Sequence, residues 1–190
     1  NRHKVRELIA LLPVRGIRWL SLDAFPRVTP AAETGKTFEA NAVKKARAIA
    51  RATGYLTLAD DSGVEVAALN GAPGIRSARF AGSHGDDGAN NRKLLRLMEQ
   101  VPARRRSARY FCSLALTSPS RVIAVTRGSW YGRITAVPRG SGGFGYDPIV
   151  WIPRFGKTVA QLPKKVKRRY SHRSVAARRM LSHLRRLVVA

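Results

Sequence analysis

The stretch TFEANAVKKARAIARATGYLTLADDSG, residues 37–63, holds a helix, its stop and a strand in one reading. Thr37 can cap a helix on which Phe38, Ala42, Val43, Ala46, Ile49 and Ala50 share a face, and Gly54 is placed to end it. Tyr55-Leu56-Thr57-Leu58-Ala59 is short, β-prone and half apolar, and it runs straight into Asp60-Asp61-Ser62-Gly63. The sequence therefore predicts two carboxylates at the C-terminal end of a strand.

Outward from this stretch the elements keep alternating in type. Val5 to Leu12 reads as a short amphipathic helix stopped by Pro13, and Ile17 to Leu22 as a strand. After the Gly71-Ala72-Pro73-Gly74 turn, a helix is expected from Asp86 or Asp87 to Glu99. Ala108 to Thr117 and Arg121 to Trp130, joined at Ser118-Pro119-Ser120, form a hairpin that Tyr131 to Val137 can extend. A glycine-rich loop, Gly140 to Pro148, precedes a short apolar strand at Ile149 to Ile152, and Ser171 can cap a terminal helix carrying Ala177, Leu181, Leu184 and Val188. No repeat and no dividing linker is visible, so residues 1–190 read as one domain, an α/β fold with a mixed β-sheet and flanking helices.

Composition narrows the setting. Hydrophobic residues make up 44% of the chain, enough for a packed core, which excludes disorder as the main state. One cysteine, Cys112, excludes an internal disulfide and a thiolate metal cage and favours a reduced, cytoplasmic setting. No apolar run approaches the roughly 18 residues of a membrane span, and the start at Asn1, without Met, reads as a trimmed chain. Lys and Arg number 36 against 11 Asp and Glu, a net charge of +25, and no acid follows Asp147. Such a field draws polyanions without choosing among them.

Several motifs could carry chemistry, each with a plainer alternative. Adjacent aspartates in a strand face opposite ways, so one of Asp60 and Asp61 could hold a divalent cation while the other activates water; a turn with capping carboxylates fits equally. Phe144 and Tyr146 around Gly145, with Asp147 beside them, suit stacking on a base whose edge a carboxylate reads, or merely a tight loop. Ser171-His172-Arg173 opens a helix, where backbone N–H groups favour an anion, or is an ordinary cap. Cys112 reads as apolar filler.

Eight ordered blocks nevertheless resemble the inosine/xanthosine triphosphate pyrophosphatase family. They are Asn1-x-x-Lys4-x-x-Glu7, Glu33-Thr34-Gly35-x-Thr37-Phe38, Asn41-Ala42-x-x-Lys45-Ala46, Ala59 to Gly63, Gly71 to Arg79, Gly142 to Pro148, Gly156-Lys157-Thr158 and Ser171-His172-Arg173. The resemblance implies a two-lobed α/β fold around a long cleft, a homodimer, and magnesium-dependent (Mg²⁺) hydrolysis of ITP, dITP or XTP to monophosphate and pyrophosphate. It implies Asp61 as general base and metal carboxylate, Asp60 as metal support, and Ser62 as a substrate contact. Asn1, Lys4 and Lys45 would face the triphosphate. Phe144, Gly145, Tyr146 and Asp147 would form the base pocket, closed by Lys167, His172 and Arg173, one of which would donate to the purine 6-carbonyl that adenine lacks.

The chain also departs from that pattern. The resemblance places the family's metal-binding Glu on Ala40, with Glu39 one position earlier, and Gln161, Lys164 and Lys165 stand where acids are usual. The strand that would precede Asn1 is not in this sequence. These features and the charge define the alternative, a catalytically weak relative that binds nucleotides or RNA through its basic face; nucleic acid and membrane partners are otherwise not expected.

Overall fold

A computed structural model describes residues 2–29 and 31–189. Its helices are α1 (Arg2–Leu11), α2 (Phe38–Thr53), α3 (Asp87–Leu97), α4 (Lys164–Tyr170) and α5 (His172–Val189); its strands are β1 (Thr57–Val66), β2 (Ser107–Thr117), β3 (Val122–Ile134), β4 (Val150–Ile152) and β5 (Lys157–Thr158). The five strands form one sheet in the order β1-β2-β3-β4-β5. Arg133 lies opposite Trp151 across β3 and β4, and Trp151 opposite Thr158 across β4 and β5, both antiparallel. This is the α/β class that the sequence indicates. Short turns join β2 to β3 and β4 to β5, whereas residues 67–106, which include α3, separate β1 from β2, and residues 135–149 separate β3 from β4.

The chain forms two compact units. The first comprises Asn1–Asp61, Cys112–Gly128 and His172–Ala190, the second Ser62–Phe111 and Ser129–Ser171. In the first, Leu12, Cys112, Leu114, Leu116, Ala124, Ala176, Met180 and Leu184 form a buried core, and α1 packs on α5. Two small contacts seat α5 on β3. A side chain at Gly128 would put its Cβ 2.1 Å from the His172 carbonyl oxygen, and the Thr126 hydroxyl donates to the Ala176 carbonyl at 2.9 Å. In the second unit, Val64, Val66, Leu94, Met98, Trp130, Tyr146 and Ile149 are among the residues that build the core.

Helix α2 obeys its sequence signals closely. Thr37 is extended and its hydroxyl accepts from the Ala40 N–H at 3.0 Å, while Gly54 takes a left-handed conformation at φ 74° and returns its N–H to the Ala50 carbonyl. Phe38, Ala42, Ala46 and Ala50, spaced by four, are buried. Thr37→Ala should cost about 1 kcal/mol, read by urea denaturation, because one helix N–H loses its acceptor.

Two local expectations change and a third holds in part. β1 does not end at Ala59 but runs on through Asp60, Asp61, Ser62 and Gly63 to Val66, so the aspartates lie mid-strand. Residues 17–22 form no strand; a 3-10 turn, Leu22–Ala24, follows, and Ile17 and Trp19 pack on the first unit's core without a ladder. β3 continues past Trp130 to Ile134, merging the hairpin arm and its expected extension. No described helix is long and apolar enough to cross a membrane.

Candidate active site

In the first unit two ionic groups form around the mid-strand aspartates. Asp61 is 5% exposed; its Oδ1 lies 2.9 Å from Lys45 Nζ and its Oδ2 accepts from Asn41 Nδ2 at 3.3 Å. The same Lys45 Nζ meets Glu33 Oε1 at 3.0 Å. α2 thus supplies Asn41 and Lys45, one turn apart, to one strand residue. Burial pushes the Asp61 carboxyl above the ordinary carboxylate range, against the pull of Lys45. Burial disfavours charge on Lys45 too, but Asp61 and then Asp60 outweigh it and hold the ammonium above its usual value.

Asp60, next in the strand and so facing the other way, joins a different group. Arg173, at the start of α5 and 1% exposed, sets Nε and Nη2 each 3.4 Å from Asp60 Oδ2 and donates from Nη1 to Glu7 Oε2 at 2.5 Å. Lys4 Nζ stands 3.8 Å from the same Asp60 oxygen. Lys4 and Glu7 are three residues apart on α1 and so share a face. Desolvation works against the Arg173 charge, yet Asp60 and Glu7 together hold its proton more tightly than in water.

A third group lies in the second unit. Asp147, 3% exposed, accepts from Tyr110 Oη at 2.9 Å on Oδ1 and, on Oδ2, from the Phe144 N–H at 3.0 Å and Lys167 Nζ at 2.5 Å. Lys167 Nζ also sits 4.4 Å from the Phe144 ring centroid. Tyr146 donates its hydroxyl to the Ser77 carbonyl at 2.8 Å, and burial, with Asp87 nearby, lifts its pKa. Phe144, Gly145, Tyr146 and Asp147 therefore form one pinned loop with an aromatic face, a cation and a carboxylate together. That set can stack on a heterocycle and exchange hydrogen bonds with its edge.

The Ham1 family matches residues 1–183. The chain belongs to that family. A Ham1 relative from Desulforamulus reducens, named dITP/XTP pyrophosphatase, is 47% identical over 189 residues, spanning 100% of this chain and 94% of that protein. One of the same name from Mycolicibacterium paratuberculosis is 48% identical over 195 residues, with 100% and 95% spanned. The structure of a HAM1 protein from Coxiella burnetii superposes with a TM-score of 0.89 at 38% identity, covering 97% of this chain and 94% of that one.

Against the expected site of this Ham1 chain, the placements divide. Lys4, Lys45, Asp60, Asp61, His172 and Arg173 belong to the first unit, and Ser62, Phe144, Gly145, Tyr146, Asp147 and Lys167 to the second; Asn1 lies outside the described residues. The resemblance implies Arg173 as a base-pocket residue, but its guanidinium is buried on Glu7 and Asp60. Asp60 is likewise engaged by that guanidinium. His172 is 6% exposed, at the first turn of α5. Two acids with no expected role, Glu7 and Glu33, prove to be part of these groups, beside Asn41 and Tyr110. The signals that could have found them are the Lys4/Glu7 helical spacing and an acid in the otherwise polar run before Thr37. Ala40 is exposed on α2, and Glu39 pairs with Arg127, so the acid that accompanies Lys45 and Asp61 comes from the loop and not from the helix.

Proposed function

We propose that this chain hydrolyses dITP, XTP and ITP to the monophosphate and pyrophosphate. The observation that carries the reading is the buried Asp61 carboxylate held by Lys45 and Asn41, in a chain whose relatives are named for that activity. In the reaction water adds to the α-phosphorus, the bond from that phosphorus to the α,β-bridging oxygen breaks, and pyrophosphate leaves. Asp61 orients the water and takes its proton, a task for which a carboxylate of raised pKa is better suited than an ordinary one. Lys45 and Lys4 offset phosphate charge, and Ser62 lies next to Asp61 in the strand.

Magnesium belongs to the proposal. Among the described residues no cluster of three or more His, Cys, Asp or Glu side chains is assembled for a metal. Mg²⁺ is commonly held by one or two carboxylates together with substrate phosphates, so Asp61 fits that chemistry as a single carboxylate, while Asp60, facing the other way and held by Arg173, would support the site without sharing the ion. Bound there, it would supply charge neutralisation to the triphosphate.

The Phe144 to Asp147 loop reads the base, with Lys167 the donor to the purine 6-carbonyl. An amino group at that position cannot accept from an ammonium, so adenine is disfavoured. His172 and Arg173, buried in the first unit, would act by shaping the site, and a homodimer in the cytoplasm completes the reading. The test is incubation with dITP, XTP, ITP, ATP and GTP at millimolar Mg²⁺, resolving pyrophosphate from phosphate. Pyrophosphate from the first three is the expected result; turnover of ATP alone, or release of single phosphate, overturns the proposal. Lys167→Ala should narrow the preference for ITP over ATP by roughly tenfold, the worth of one charge-assisted hydrogen bond.

A further inference from the structure

Helix α3 begins with two adjacent acids that do different jobs. Asp86 is the cap, its Oδ1 accepting from the Ala89 N–H at 2.8 Å. Asp87 is not needed there, and its Oδ2 accepts from the Gly145 N–H at 2.6 Å. Four residues on, and so on the same helix face, Asn91 donates from Nδ2 to the Gly145 carbonyl at 3.0 Å. One helix face thus holds both polar groups of a single residue 54 and 58 positions away in the chain. The Asn91 Oδ1 is buried without a hydrogen-bond partner among the described residues, a cost that the donor side of the amide must offset.

Gly145 is the point at which the loop can be steered. Its φ is +65°, and nothing lies within 4 Å of where a Cβ would be, so the backbone conformation rather than crowding calls for glycine. Phe144 and Asp147 are already joined through the Phe144 N–H, and Tyr146 is tied to Ser77. Holding Gly145 as well fixes the hinge that connects the Phe144 ring to the Tyr146-Asp147 segment.

We infer that Asp87 and Asn91 are positioning residues for base recognition, clamping the Gly145 hinge so that the Phe144 ring and the Asp147 and Lys167 side chains meet a purine in a preformed arrangement. This rests on the reading that the loop binds the base. The clamp touches no reacting atom, so its loss weakens substrate binding and leaves the chemical step alone.

The experiment is steady-state kinetics on dITP and XTP with amide exchange at Gly145 in the nucleotide-free protein. Asp87→Ala should raise KM on the order of tenfold, keep kcat within about twofold, and speed Gly145 exchange. Asp87→Asn, which keeps an acceptor, should restore both, whereas Asn91→Asp, which turns a donor into an acceptor facing a carbonyl oxygen, should behave like Asp87→Ala. Asp86→Ala, which removes the cap alone, should lower the melting temperature without moving KM. If Asp87→Ala matches Asp86→Ala in every readout, or leaves KM and Gly145 exchange as in wild type, the inference is overturned and the proposed activity stands. A wild-type protein that releases no pyrophosphate from any purine triphosphate overturns the activity and this inference with it.

Discussion

Asp61→Asn should lower pyrophosphate release by about 10²–10⁴-fold, the usual worth of a general base, in a protein that remains folded. The amide keeps the shape of the carboxylate but cannot take a proton, and Lys45 retains Glu33 at 3.0 Å as its counter-charge. Folding should not suffer. A carboxyl whose pKa is raised by burial binds its proton more tightly folded than unfolded, so its stabilising contribution is present at low pH and lost as pH rises through the folded value. At neutral pH the burial cost of the ionised Asp61 and the hold it gives the Lys45 ammonium oppose each other, so the substitution should leave stability near that of the wild type. In the metal-free protein the Asp61 carboxyl should titrate above the ordinary carboxylate range, and Mg²⁺ bound there would bring it down. Near wild-type turnover by Asp61→Asn would refute the assignment.

Arg173→Ala should destabilise the protein by about 3–5 kcal/mol, read by urea denaturation, because it takes the guanidinium from both Asp60 and Glu7 and leaves only Lys4, 3.8 Å from Asp60, beside them. Arg173→Lys should recover only part of this, since an ammonium cannot reproduce the fork that reaches both carboxylates. The measurement separates two roles. A guanidinium that served the base pocket alone would show a raised KM with unchanged stability; one that ties α1 and α5 to β1 shows the loss in the unfolding curve.

Much of this was legible in sequence where the cause is local. The cap at Thr37, the stop at Gly54 and the acidic start of α3 depend on neighbours within four residues, and the structure has them where the sequence indicates. The end of β1 was not legible, because Asp60-Asp61-Ser62-Gly63 has the composition of a turn. It stays extended because partners elsewhere in the chain meet its polar groups: Arg173, 113 residues from Asp60, donates to that carboxylate, and the Ser77 hydroxyl accepts from the Val64 N–H at 2.9 Å. A side chain at Gly63 would meet that hydroxyl oxygen at 2.3 Å, so glycine here serves close packing rather than a turn. The residues of the family pattern were readable in order, but their partners were not, since Glu7 and Arg173 are 166 residues apart.

The single thiol of the chain gives the interior a clock. Cys112 is fully buried, and burial lifts its pKa far above the range in which a thiolate forms in water, so reagents reach it only when the first unit opens. The rate at which a thiol probe attaches therefore counts opening events in that core, one signal per molecule and no engineered label. Cys112 also lies within the electrostatic reach of Asp60 and Arg173. The difference in labelling rate between the wild type and Arg173→Ala would thus report how far the ionic network keeps that core shut.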